Sequence, residues 1–155
     1  MDERTMTLRQ MTPAEREAQT VRELPELMPR ELARERTRQG TARFLPDGRD
    51  TAHHHLVVAE NGAGETVGTA WIGPGPRAEA GTSGSAWLYH IHVLPPFRRQ
   101  GYGAAVLAAA ERLVAREGMT ALALNVFGGN EAAIALYRRS GYGVSSICMS
   151  KEVRA

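Results

Sequence analysis

A chain of 155 residues with 43% hydrophobic and 23% charged residues has the size and make-up expected of one globular domain. A formal charge of +2 is too small to point to nucleic acid, no apolar run approaches the roughly 20 residues of a membrane helix, and the lone Cys148 excludes an internal disulfide framework. The N-terminal MDERTMTLRQ lacks the apolar core of a signal peptide, so a cytoplasmic protein without a membrane partner is expected.

The first element, TMTLRQMT over residues 5–12, alternates apolar and polar positions and reads as a short strand. Thr12, Pro13 and Glu15 then spell a helix start, with Thr12 and Glu15 as the two halves of a capping box. The helical signal is broken near Pro25 and Pro29 and runs to Gly40, which predicts two short helices. HHHLVVAE and ETVGTAWIG flank NGAG, the pattern of a hairpin around an Asn-Gly turn. A Gly/Pro-rich loop, GPGPRAEAGTSG, follows. SAWLYHIHVL is a strand rich in aromatic and β-branched residues, and Pro95 and Pro96 end it because they cannot donate to a ladder.

Between Ala104 and Glu117 the apolar residues Val106, Leu107, Ala110, Leu113 and Val114 recur at helical spacing, and Gly118 supplies a stop. MTALALNVF reads as a buried strand, GGN as a turn, and EAAIALYRRSG as a helix capped by Asn130 and terminated at Gly141. VSSICMSKEV closes the chain as a strand, with Cys148 as an inert core residue. The order β, two helices, β, β, β, α, β, α, β predicts a mixed α/β sheet.

RRQGYG stands directly before the most regular helix. Unpaired N–H groups at a helix start attract anions, Gly101 and Gly103 let a bulky anion approach the backbone, and Arg98 and Arg99 offer forked donors. A pyrophosphate suits such a turn, although glycines also serve simply to join a strand to a helix. A P-loop would need a Lys and a hydroxyl that are missing here, and a dinucleotide turn would need glycine where Val106 stands.

IHVLPPFRRQGYGAAVL followed by LNVFGGNEAAIALYRRSGY resembles the GNAT superfamily of acetyl-CoA-dependent N-acetyltransferases. The family's pyrophosphate motif is matched by Arg98, Gly101 and Gly103, and its later motif by Asn130, Leu136, Tyr137, Gly141 and Tyr142. The similarity covers roughly Trp87 to Tyr142; the N-terminal half agrees in element order. It implies an α/β fold with a mixed, mostly antiparallel sheet that splays between strands 4 and 5, with helices on both faces. In that scheme one N-acetyltransferase domain comprises an N-terminal strand with acceptor-side helices (1–52), central strands (53–93), an acetyl-CoA-binding core (94–142) and a C-terminal strand (143–155).

The resemblance further implies that the backbone around Ile91, His92 and Val93 pairs with the pantetheine arm of acetyl-CoA. Amides of Arg98, Arg99, Gln100, Gly101, Tyr102, Gly103 and Ala104 would hold the pyrophosphate, Asn130 would touch the cofactor arm, and Tyr137 would lie near the thioester sulfur. An amine of lysine-like pKa, about 10.4, needs about 4.6 kcal/mol to be neutral at pH 7, so a base is required. Histidine suits that work, and His90 and His92 stand on the strand before the turn. Where family members often carry a Glu, this chain offers Trp87, Tyr89 and Asn125, so a water-relayed base through Tyr89 or His90 is expected, with Tyr137 as the acid.

No metal is expected: the clusters His53 to His55 and His90 with His92 could each chelate on a strand face, but the implied sheet order separates them. The rival to an enzyme is a non-catalytic acyl-CoA-binding or regulatory module. The resemblance implies a small-molecule, peptide or protein amine as acceptor, with residues such as Glu31, Glu35 and the Gly/Pro loop expected to choose it, and pairing of the final strand at a sheet edge would give a homodimer.

Overall fold

The computed structural model describes residues 5–16, 53–75 and 84–154. The expected helices through Gly40, with Glu31 and Glu35, and residues 76–83 of the Gly/Pro loop lie outside the described residues. The chain divides into two compact units, Met1–Asn125 and Val126–Ala155.

In the first unit, strands β1 (Thr7–Gln10), β2 (His55–Glu60), β3 (Thr66–Pro74), β4 (Ser85–Val93) and β5 (Ala121–Leu124) form one sheet whose spatial order equals their chain order. From β1 to β4 each strand is antiparallel to its neighbour, while β5 runs parallel to β4. A parallel neighbour needs a crossover, and helix α1 (Tyr102–Arg116) provides it.

The helical stripe read from spacing is the buried one: Val106, Leu107, Ala110 and Val114 are inaccessible, joined by Ala109, with Leu113 half-buried. The sheet's own apolar core comprises Val57, Ala59, Ala70, Ile72 and Leu88. Full burial of such aliphatic side chains contributes about 1.5–3 kcal/mol each. A second cluster forms from Met11, Leu56 and Val58, with Trp71 packed against it.

The capping box exists as expected. Glu15 N–H donates to Thr12 Oγ1 at 3.2 Å and Thr12 N–H donates to Glu15 Oε2 at 2.9 Å. Arg9 adds a fork onto the Glu15 carboxylate at 2.8 and 3.1 Å, and this pairing lowers the Glu15 pKa to about 2.

The hairpin forms, but not around a two-residue Asn-Gly turn. Its connection runs from Asn61 to Glu65, and Gly64, at φ 79°, takes the left-handed position. Asn61 acts instead as a hub: its Oδ1 accepts from Ala63 N–H and Glu65 N–H, both at 3.0 Å, which favours Asn for its side chain rather than its dihedrals.

The second unit contains helix α2 (Glu131–Arg139). The closing strand does not form: residues 142–154 carry neither helix nor strand, and Val144, Ile147, Met149 and Val153 are exposed. Cys148 is therefore a free, exposed thiol rather than a core residue. β-Prone composition alone makes no strand when no ladder partner is met.

Candidate active site

β4 faces β5 only from Ser85 to Leu88, where Leu88 lies opposite Leu124. Beyond that point the two strands part, while β4 stays paired with β3 as far as Val93. The parting coincides with a bulge: Trp71 faces His90 and Ile72 faces Leu88, so Tyr89 is the extra residue on β4. A bulge bends its strand and re-aims its side chains.

The bulge places Tyr89 against Trp71, with ring centroids 4.5 Å apart and planes inclined by 21°. Trp71 Nε1–H donates to His54 Nδ1 at 3.0 Å, and the Tyr89 hydroxyl donates to Pro74 C=O. His54 lies just ahead of β2, not within the expected strand, and His53 occupies a turn at φ 64°. Burial lowers the His54 pKa, with neighbouring His55 and His53 adding to the effect, which favours the neutral ring whose Nδ1 accepts from Trp71. Burial also raises the Tyr89 pKa and keeps the phenol protonated.

On the same face as Trp71, His90 and His92 stand side by side, their rings 6.2 Å apart and 19° from parallel. His92 faces Thr69 across the ladder. His90, His92 and Tyr89 all lie on β4 next to the parting.

After β4 the chain turns through a short 3₁₀ segment, Pro95–Phe97, into the glycine turn. Arg98 Nε donates to Val93 C=O at 2.9 Å and Gln100 Nε2 donates to Pro96 C=O at 2.9 Å, so both side chains brace the turn. Arg99 and Gly101 take left-handed conformations at φ 61° and 84°, and a Cβ at Gly101 would meet open space. Gly101 caps α1, which begins two residues ahead of the expected Ala104, and the first bond of the helix runs from Ala105 N–H to Gly101 C=O at 3.2 Å. The N–H groups of Tyr102, Gly103 and Ala104 lie ahead of that bond, where a helix exposes its donors. Tyr102 is anchored by an edge-on contact with Phe97 at 5.7 Å.

In the second unit Asn130 caps α2, its Oδ1 accepting from Ala133 N–H at 3.3 Å. Tyr137 is half-buried, packs edge-on against Tyr142 at 5.9 Å, and receives Tyr142 N–H on its carbonyl at 3.0 Å. Burial raises its pKa above the ordinary phenol value, so it carries its proton at neutral pH.

Tyr89, His90, Ile91, His92 and Val93 are gathered on one strand segment, and Arg98 to Ala104 on the turn that continues it; Asn130 and Tyr137 share the second helix. The hydrogen-bonding roles of His54, Trp71 and Asn61 escaped sequence reasoning. A Trp on β3 and a Tyr on β4 can be read from the sequence, but the one-residue offset that stacks them cannot. Among the described residues no three His, Cys, Asp or Glu side chains gather in a metal-binding group, and no helix is long and apolar enough to cross a membrane.

Residues 17–142 match the model of the acetyltransferase (GNAT) family. The uncharacterized N-acetyltransferase YycN of Bacillus subtilis is 32% identical over 110 residues, covering 71% of this chain and 69% of the relative. A second Bacillus subtilis protein, the uncharacterized N-acetyltransferase YdgE, is 29% identical over 119 residues, covering 77% and 74%. The crystal structure of YycN superposes with a TM-score of 0.81 at 27% identity, covering 97% of this chain and 100% of that one. The aminoglycoside N-acetyltransferase AAC(6')-Iy in complex with CoA shares the fold, with a TM-score of 0.64 at 20% identity over 97% of this chain and 95% of that one. By this match, and on the parted sheet and glycine-led helix described above, the chain belongs to the GNAT family of acetyltransferases.

Proposed function

We propose that the protein transfers the acetyl group of acetyl-CoA to a primary amine by direct attack, with both substrates bound together. The observation that carries this reading is the parting of β4 from β5 at Leu88, which leads along one strand to the left-handed Gly101 and the α1 N-terminus. The residues present suit such a donor. The first-turn N–H groups and the open space above Gly101 accept a diphosphate, and the backbone of Ile91 accepts an amide-bearing arm. Val93 C=O is already taken by Arg98. AAC(6')-Iy, of the same fold, has been captured with CoA.

Acetyl-CoA supplies a thioester, an acetyl group already activated toward amines. The chain's own work is to bind and orient it and to move protons. His90 draws the proton from the acceptor amine through a water, which offsets the roughly 4.6 kcal/mol needed to neutralise a lysine-like amine at pH 7. It is preferred over Tyr89, whose hydroxyl proton is given to Pro74. Tyr137, held protonated by burial, gives a proton or hydrogen bond to the departing thiolate. Asn130 fixes the start of the helix that carries Tyr137.

The test is consumption of acetyl-CoA against a panel of small-molecule and peptide amines, paired with calorimetric titration of CoA. Turnover with at least one amine is expected. Tight binding without turnover on any amine would favour a non-catalytic acyl-CoA-binding module, and absence of both would overturn the reading.

A further inference from the structure

An indole N–H can only donate, so the 3.0 Å contact between Trp71 Nε1 and His54 Nδ1 fixes the direction of the bond. The neutral ring must then carry its proton on Nε2. His54 is held in this pose from a second side: a Cβ built on buried Gly73 would run into the His54 ring, so the ring occupies space that only glycine leaves. Its plane also tilts against Tyr89, with centroids 5.7 Å apart. Tyr89 in turn stacks on Trp71 and donates its hydroxyl to Pro74 C=O. These contacts form a closed strut from the start of β2, across β3, to the bulge of β4.

We propose that His54 is a positioning residue for the acetyl-donor edge of β4, acting through Trp71 and Tyr89 to hold the bulge at which the sheet parts. The bulge needs such support. Tyr89 is the surplus residue on its strand, and a slip of β4 by one position beyond Leu88 would absorb it. A slip would turn Ile91 and Val93 to the other face and exchange the backbone groups presented beyond Leu88. His54 touches no reacting atom in this scheme; it sets where the β4 backbone points. The proposal rests on the reading of β4 as the donor edge, and its test separates the two.

The variants are His54→Ala, which deletes the acceptor, His54→Asn, whose Oδ1 restores an acceptor near the Nδ1 position, and Trp71→Phe, which keeps a stacking ring and removes the donor. Backbone amide exchange across β2, β3 and β4 is followed in the full chain, with CoA titrated in parallel. In His54→Ala and Trp71→Phe, exchange at residues 89–91 should rise about tenfold, the effect of losing one net hydrogen bond, with β2 unchanged, and CoA should bind about fivefold more weakly. His54→Asn should stay within about twofold of the parent in both readouts. Unchanged exchange at 89–91, an equal rise over all three strands, or a His54→Asn variant no better than His54→Ala would overturn the proposal. Weakened protection at 89–91 with unchanged CoA affinity would overturn its link to the donor edge. If the parent itself fails to bind CoA, the donor reading fails, and the exchange data alone still decide whether His54 holds the bulge.

Discussion

Asn61 Nδ2 lies 3.5 Å from the Tyr102 hydroxyl, so the turn between β2 and β3 reaches the first residue of α1. The contact is long for a hydrogen bond, but Asn61 is only 8% exposed and also donates to Glu65 Oε1 at 3.0 Å while capping two backbone N–H groups. Asn61→Ala leaves those backbone donors without partners and should destabilise the protein by about 1–3 kcal/mol. Urea denaturation measures the loss, and a change under about 0.5 kcal/mol, the usual range for neutral surface substitutions, would show that the hub is dispensable.

Gly101 adopts φ 84° with open space where a Cβ would stand. Gly101→Ala therefore meets conformational strain and no clash, about 1–2 kcal/mol for an L-residue in the left-handed region. If the strain is relieved by shifting the first turn of α1, CoA should bind about 5–30-fold more weakly, by the same free energy. Gly101→Asn should fall between the two, since Asn tolerates this region better. Calorimetric titration of the three proteins gives the order, and equal affinities would detach the turn from anion binding.

Tyr137→Phe keeps the ring packing against Tyr142 and removes the hydroxyl. Turnover should fall by at least about tenfold, at the modest end of proton-transfer catalysis, while CoA affinity holds. Because burial raises the Tyr137 pKa, the acid form persists to higher pH than for a free phenol, and any alkaline decline of the parent's kcat on its account should lie above the range in which a free phenol titrates. Unchanged turnover in Tyr137→Phe removes it from the acid role.

Glu15 has its pKa lowered to about 2, first by the Arg9 hydrogen bond and then by Thr12 N–H. A depressed carboxylate contributes stability that is fully present above its ordinary value and is lost as pH falls through the folded value. The melting temperature should thus decline between about pH 4.5 and pH 2 in part through Glu15, and Glu15→Gln should flatten that decline. The Arg9 and Glu15 side chains are 38% and 37% exposed, so solvent screening keeps the contribution small. Melting curves at low and high salt check both points, and an unchanged acid slope in the variant would assign the decline to other carboxylates.

Much of the fold was legible because it rests on periodicity. Val106, Leu107, Ala110 and Val114 announce one face of a helix at any reading, and Pro95 and Pro96 end β4 by chemistry alone. The features that shape the site depend on offsets that composition does not carry. Tyr89 looks like any aromatic strand residue until the register of β3 shows it to be surplus, and His54 looks like one of three equivalent histidines until Trp71 is found to donate to it. The same blindness produced the opposite error at residues 144–153: Val144, Ile147 and Val153 suit a strand, yet a strand is a relation between two segments and no residue can state it alone. Asn61 and Gly62 announced a turn correctly but misled about its geometry, because the side-chain acceptor mattered more than the left-handed preference.

The exposed Cys148 has a practical consequence for any assay of this chain. A transferase that liberates free CoA is conveniently followed with thiol reagents, and the protein itself will titrate as one equivalent of product in the first moments of mixing. That burst would mimic a single rapid turnover. Because the side chain lies at the surface, a Cys148→Ser protein should keep its stability while removing the false burst, and the same lone thiol offers a unique point for attaching a fluorophore near the C-terminus.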